Sequence, residues 1–128
     1  MSAAVPSESH AERFAGLPQR TLAGGLTLVE ASTGKARRKG LMRLDALPGD
    51  HALLIRTVSV HTFGMRFALD LIWLDRHGNA VRVDRDVPPR RVRACARAHS
   101  VIETLGGHAD EFLSAGLRSD EVERDRGA

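Results

Sequence analysis

Hydrophobic and polar positions alternate in short runs along this chain, the pattern of strands with at least one covered face. Leu26-Thr27-Leu28-Val29-Glu30 is the first clear run, and the short apolar run Ala52-Leu53-Leu54-Ile55 predicts a buried strand. Leu69-Asp70-Leu71-Ile72-Trp73-Leu74 is apolar on both faces apart from one carboxylate, as expected of a central strand covered on two sides. Asp75-Arg76-His77-Gly78-Asn79 supplies a turn, and Ala80-Val81-Arg82-Val83-Asp84 alternates as its partner strand. Together these make the strongest hairpin in the chain. Val92 to Ala94 predicts a short strand, and Val101-Ile102-Glu103-Thr104-Leu105 a better one, closed by Gly106-Gly107.

Helical signals are fewer. Thr33 to Met42 reads as a helical turn or two, with Thr33 at the N-cap and Gly40 near the end. Residues 108–117 place Ala109, Phe112, Leu113 and Leu117 at helical spacing, with Asp110 and Glu111 in the first turn, where the dipole favours them. Residues 1–17 are small, polar and aperiodic and predict a flexible lead-in. Residues 18–122 then form one domain without internal repeat, and 123–128 a frayed tail. Short strands with one or two short helices predict a mostly β fold, either a compact β-sandwich or a partly open barrel, rather than a parallel βαβ sheet.

Composition narrows the classes. A length of 128 residues is enough to bury a core without metals or disulfides. The net charge of +3 rests on arginine, since only Lys35 and Lys39 are lysines. Arginine suits phosphate contacts. In the basic stretch Arg82, Arg85, Arg90, Arg91, Arg93 and Arg97, however, Asp84 and Asp86 dilute the field, and Arg82 is expected to face solvent. With one Trp and no Tyr, base stacking has little material. The expectation is weak, non-specific nucleic-acid association at most, with no sequence-specific recognition. Cys95, the single cysteine, reads as a filler without a disulfide partner. Neither a secretory signal nor a membrane span is legible, so a soluble, cytoplasmic protein without membrane association is expected.

Candidate chemistry is sparse. His10, His51, His61, His77, His99 and His108 fit no metal-ligand spacing, so no metal and no cofactor are expected. No Gly-x-Ser-x-Gly elbow, phosphate loop or dinucleotide fingerprint occurs. What stands out is a carboxylate in each of two apolar strands: Asp70 beside Ile72 and Leu74, and Glu103 beside Val101 and Leu105. Each must find a hydrogen-bonding or cationic partner or carry a raised pKa. Arg66, from the same segment, is a candidate partner of Asp70.

Taken in order, Arg37-Arg38-Lys39-Gly40-Leu41-Met42, then His61-Thr62-Phe63-Gly64-Met65-Arg66-Phe67-Ala68-Leu69-Asp70, then Leu74-Asp75 with Gly78 and Val81, then Val101-Ile102-Glu103 with Gly106, resemble the prokaryotic domain of unknown function 192 family. The resemblance spans roughly residues 24–122. The Arg-x-x-Gly-Leu-Met and Met-x-x-x-Leu-Asp elements are specific in combination. It implies a compact β-sandwich-like fold, no established activity, and a polar signature on Arg37, Asp70 and Glu103, which makes Arg37 a second candidate partner of Asp70. One departure is Ser119-Asp120, where the family usually has Gly-Asp.

The leading functional expectation is a non-enzymatic binding or accessory module for an unknown small molecule or protein, with a groove lined by Arg37, His61, Arg66, Asp70 and Glu103. The rival is a carboxylate-dependent hydrolase of a polar or sugar-like substrate acting through Asp70 and Glu103, which requires both carboxylates in one pocket.

Overall fold

The described residues form eight strands, among them the alternating runs, and hydrogen bonding sorts the strands into two sheets. The computed structural model describes residues 8–116. Strands β1 (Gln19–Thr21), β2 (Thr27–Glu30), β3 (His51–Ile55), β5 (Leu69–Leu74), β6 (Ala80–Val87) and β8 (Ser100–Leu105) form a six-stranded sheet in the order β1-β2-β3-β8-β5-β6. Strands β4 (Ser59–His61) and β7 (Val92–Ala94) form a separate antiparallel pair. Three short helices complete the fold: α1 (His10–Phe14), α2 (Gly34–Lys39) and α3 (Ala109–Ser114). This is the expected mostly β, sandwich-like architecture, and it is not a closed barrel.

The sheet is covered on both sides. On one face Val29, Leu53, Leu71, Trp73 and Val101 pack against Phe14 of α1, Leu41 and Leu44 after α2, and Val60 and Cys95 from the β4–β7 side. On the other, Leu28, Ala52, Ile72, Leu74 and Ile102 pack against Leu22 and Leu26 and against Ala109 and Phe112 of α3. Every residue of β5 is buried, which explains its nearly continuous apolar run. Trp73 is fully enclosed on the face opposite Ile72.

Three features differ from the sequence expectation. First, β2 and β3 are parallel and α2 makes the crossover between them, so one βαβ-like unit is present after all. The six-residue helix buries no residue and carries no apolar stripe to read. Second, the segment expected to be a lead-in contains α1, with a capping box in which Ser9 Oγ accepts from Glu12 N–H and Glu12 accepts from Ser9 N–H. Phe14 is 1% exposed and anchors this helix to the core. Third, β1 and β4 are three-residue strands with too little alternation to announce themselves. The last helix ends at Ser114, with Ala115 as its C-cap and Gly116 at φ 73°, short of the expected residue 117, whereas Leu117 itself, the Ser119-Asp120 departure and the tail lie outside the described residues.

Candidate functional site

Register decides what the two carboxylates can do. In the β5–β8 ladder Asp70 stands opposite Thr104, and Leu71 stands opposite Glu103. Directly paired residues share a face, and neighbours along a strand alternate. Asp70 and Glu103 therefore project from opposite faces of the sheet. The two-carboxylate hydrolase required both in one pocket, and this geometry removes it.

Asp70 is fully buried and fully partnered. Its Oδ1 accepts from Asp86 N–H at 2.8 Å, and its Oδ2 accepts from Gly107 N–H and Ala109 N–H, each at 3.0 Å. The pairing of β5 with β6 shifts register between Leu69 and Leu71, and Asp86 sits in this irregular stretch at φ 49°. Its amide would otherwise be left over from the ladder. Gly107 and Ala109 bracket the turn into α3, whose N-cap residue His108 makes no side-chain cap. Asp70 supplies that cap from across the sheet. The expected arginine partners are not there: Arg66 pairs instead with exposed Asp45, and Arg37 lies on α2 near the opposite face. Asp70 and Arg66 thus do not belong to the groove in which the sequence placed them.

Glu103 has the opposite circumstances. It is 4% exposed, its side chain makes no hydrogen bond within the described residues, and burial pushes its carboxyl up to about 7. Its oxygens are nonetheless not sealed away, since the only enclosed, unpaired side-chain polar atom among the described residues is Arg13 Nε. They open into a cavity of about 260 Å³ bounded by the end of α2 and the residues after it, the end of β3, and β4. Leu41, Ile55, Val60 and Met65 give this cavity an apolar waist. Thr57 and Ser59 add hydroxyls, and Arg37, Arg38, Lys39 and His61 also line it. Since Arg37, Arg38 and His61 are exposed, they form the mouth, with Glu103 at the floor. Arg37, His61 and Glu103 are the sequence-predicted residues that meet in one place.

Local structure explains this wall. Thr33 Oγ1 accepts from Ala36 N–H and starts α2, so that its last turn carries Arg37, Arg38 and Lys39. Gly40 ends it at φ 49°, ψ −129°, a conformation that only glycine adopts readily. A side chain on Gly40 would also approach Glu103 Oε1, 3.8 Å from where its Cβ would lie. Behind the wall Arg13 of α1 donates to Gly40 C=O and Met42 C=O, both at 2.7 Å, and to Glu8 at 2.9 Å. The Arg13 hydrogen bond is the chief reason that the Glu8 carboxyl lies below its ordinary range. Arg13 was not singled out from the sequence. The signal that would have found its helix is the Ser9-x-x-Glu12 spacing.

The basic stretch after β5 is largely spoken for. Arg82 donates to Asp84 and to Ala94 C=O and lies over Trp73, 5.6 Å from the ring centroid. A register shift in the hairpin pairs Arg82 with Trp73, so it covers that ring instead of pointing simply to solvent. Asp84 is raised by burial, but its bonds from Arg82 and Trp73 outweigh this and leave it below the ordinary value. Arg85 pairs with Asp110, and Arg97 donates to Val81 C=O. No group of three His, Cys, Asp or Glu among the described residues could hold a metal ion. No helix there is long and apolar enough to cross a membrane.

Solved structures of similar architecture exist. One, from Sinorhizobium meliloti 1021 and described as a putative transcription regulator, is 20% identical, with a TM-score of 0.63 over 78% of this chain and 88% of that one. Another, a protein of unknown function from Novosphingobium aromaticivorans DSM 12444, is 16% identical, with a TM-score of 0.60 over 84% and 94%. At such identities the likeness concerns the fold alone. No curated protein matches the sequence. The family model for uncharacterized ACR proteins, domain of unknown function 192, matches residues 19–120, most of the chain, and the protein belongs to that family.

Proposed function

We propose that this protein is a binding module whose small polar ligand enters the cavity beside α2 and meets Glu103 at its floor. The observation that carries the reading is a buried carboxyl that has no hydrogen-bond partner among the described residues and opens into a cavity. Burying such a group unpaired costs free energy, and a fold that needed it only for stability would give it donors, as it does for Asp70. The cavity lies near the small end of ligand pockets, sized for a compact metabolite rather than a polymer. A regulatory role, as one structural neighbour's description suggests, would require this binding to be coupled to a protein partner. The cytoplasm is the compartment in which we place it, on sequence grounds.

The test is a methyl NMR screen of the full chain against small amines, alcohols, carboxylates and amino acids. Met42, Ile55 and Met65 line the cavity and serve as reporters. The reading predicts that some of these compounds shift all three methyl groups, and that filling the cavity with Ser59→Trp abolishes the shifts. A panel that leaves these methyl groups unmoved, or shifts that persist in Ser59→Trp, would contradict it.

A further inference from the structure

The cavity's two ends differ in charge, and this bears on what fits between them. Its floor offers one carboxyl, which can only accept hydrogen bonds once ionised, and no donor among the described residues meets it. Its mouth offers Arg37 and Arg38, with His61 and the half-buried Lys39 beside them. Lys39 already leans on Glu8 at 3.4 Å, whereas neither Arg37 nor Arg38 makes an ion pair among the described residues. The buried side chains between floor and mouth are aliphatic, Leu41, Ile55, Val60 and Met65, and Thr57 and Ser59 add hydroxyls.

We infer that the ligand is a small amphoteric molecule, its ammonium end on Glu103 at the floor, a short aliphatic spacer along the waist, and its carboxylate or phosphate end among Arg37 and Arg38 at the mouth. The inference rests on the reading of this cavity as a binding site and specifies the ligand class. A simple anion would satisfy the mouth but bring a negative charge toward the Glu103 carboxylate. A simple cation would suit the floor but must pass, and remain near, the guanidinium groups of Arg37 and Arg38, unpaired among the described residues. A neutral polar molecule would leave both ends unmatched. Only a ligand of two opposite charges meets both, and opposed charges at fixed positions also set its direction of entry. An ammonium beside Glu103 gives the carboxylate the donor it lacks, so the ionised form becomes the bound form.

The experiment is calorimetric titration of the full chain at neutral pH with β-alanine, γ-aminobutyrate and ε-aminocaproate, a graded series of spacer lengths. Butylamine and butyrate serve as single-charge comparators, and the cavity methyl groups are followed in parallel. At least one ω-amino acid is expected to bind at least about tenfold more tightly than either comparator, and Glu103→Gln to lose about tenfold or more of that affinity. Arg37→Ala with Arg38→Ala is expected to weaken the ω-amino acid severalfold while leaving butylamine unchanged or tighter. Because Glu103→Gln removes a buried charge and the arginines are exposed, both variants should fold. Thermal melts of each check this. If butyrate or butylamine moves the cavity methyl groups as effectively as any ω-amino acid, the ligand class is wrong while the binding site stands. If no compound moves them, the binding reading itself fails.

Discussion

The two buried carboxylates on adjacent strands make a controlled comparison. Asp70 and Glu103 are both almost wholly excluded from water, both lie on strands at the heart of the six-stranded sheet, and both look misplaced in sequence. Asp70 receives three backbone amides and acts as a fastener for a strand irregularity and a helix start. Glu103 receives none and faces a cavity. Burial alone therefore does not separate a structural carboxylate from a functional one. The inventory of donors around it does.

The largest effect is expected at Asp70. Asp70→Ala leaves three amides unpaired in or near the core and should cost about 3–5 kcal/mol in urea unfolding, with Asp70→Asn milder because one carbonyl acceptor remains. A loss below about 1 kcal/mol would mean that the amides find other partners and would erase the contrast with Glu103.

Glu103 should behave in the reverse sense. Its folded value near 7 lies above the ordinary glutamate value of 4.5, so the folded state holds the proton more tightly than the unfolded chain. Its contribution to stability is intact below about pH 4.5, falls as pH rises through about 7 and then levels off, a total change of order 3 kcal/mol. Glu103→Gln should flatten this slope and be more stable than wild type by about 2 kcal/mol at pH 8, its unpaired amide offsetting part of the gain. Denaturation midpoints measured from pH 4 to pH 9 would show it. A parallel pH dependence in wild type and variant would refute it.

How much of this was legible beforehand follows the same line. Alternation alone marked Asp70 and Glu103 as carboxylates on apolar faces, because each judgement needs only the residues of one strand. Whether the two share a face depends on β5–β8 register, and register is a property of the pair that neither strand contains. The arginine assigned to Asp70 failed for a related reason: backbone amides are donors at every position and leave no mark in a sequence. The parallel β2–β3 pairing was hidden by a crossover helix too short and too polar to show periodicity. Phe14 and Arg13 were missed because a five-residue helix offers a single turn, although the Ser9 and Glu12 spacing of its capping box was in plain view.

Smaller effects sharpen the comparison on the Glu103 side. Arg13→Ala frees the carbonyls of Gly40 and Met42 behind the cavity wall and should cost about 2 kcal/mol. It should also speed amide exchange in residues 36–42, and Arg13→Lys should restore part of the loss. Exchange unchanged in that segment would show that the wall stands without the clamp. The smallest effect is expected at Arg82→Ala, where a half-exposed ion pair and a cation–π contact with Trp73 contribute no more than about 1 kcal/mol. Trp73 fluorescence should report the loss of this cover, and a larger cost would give the basic stretch a structural weight that its exposure does not suggest.

The most direct measurement is a carbon-detected NMR titration of the Glu103 side-chain carboxyl in the intact, unliganded chain. A midpoint near 7 is expected, the mark of a buried carboxyl without a donor. A midpoint at or below the ordinary 4.5 would show that Glu103 already has a partner, and the contrast with Asp70 would be gone.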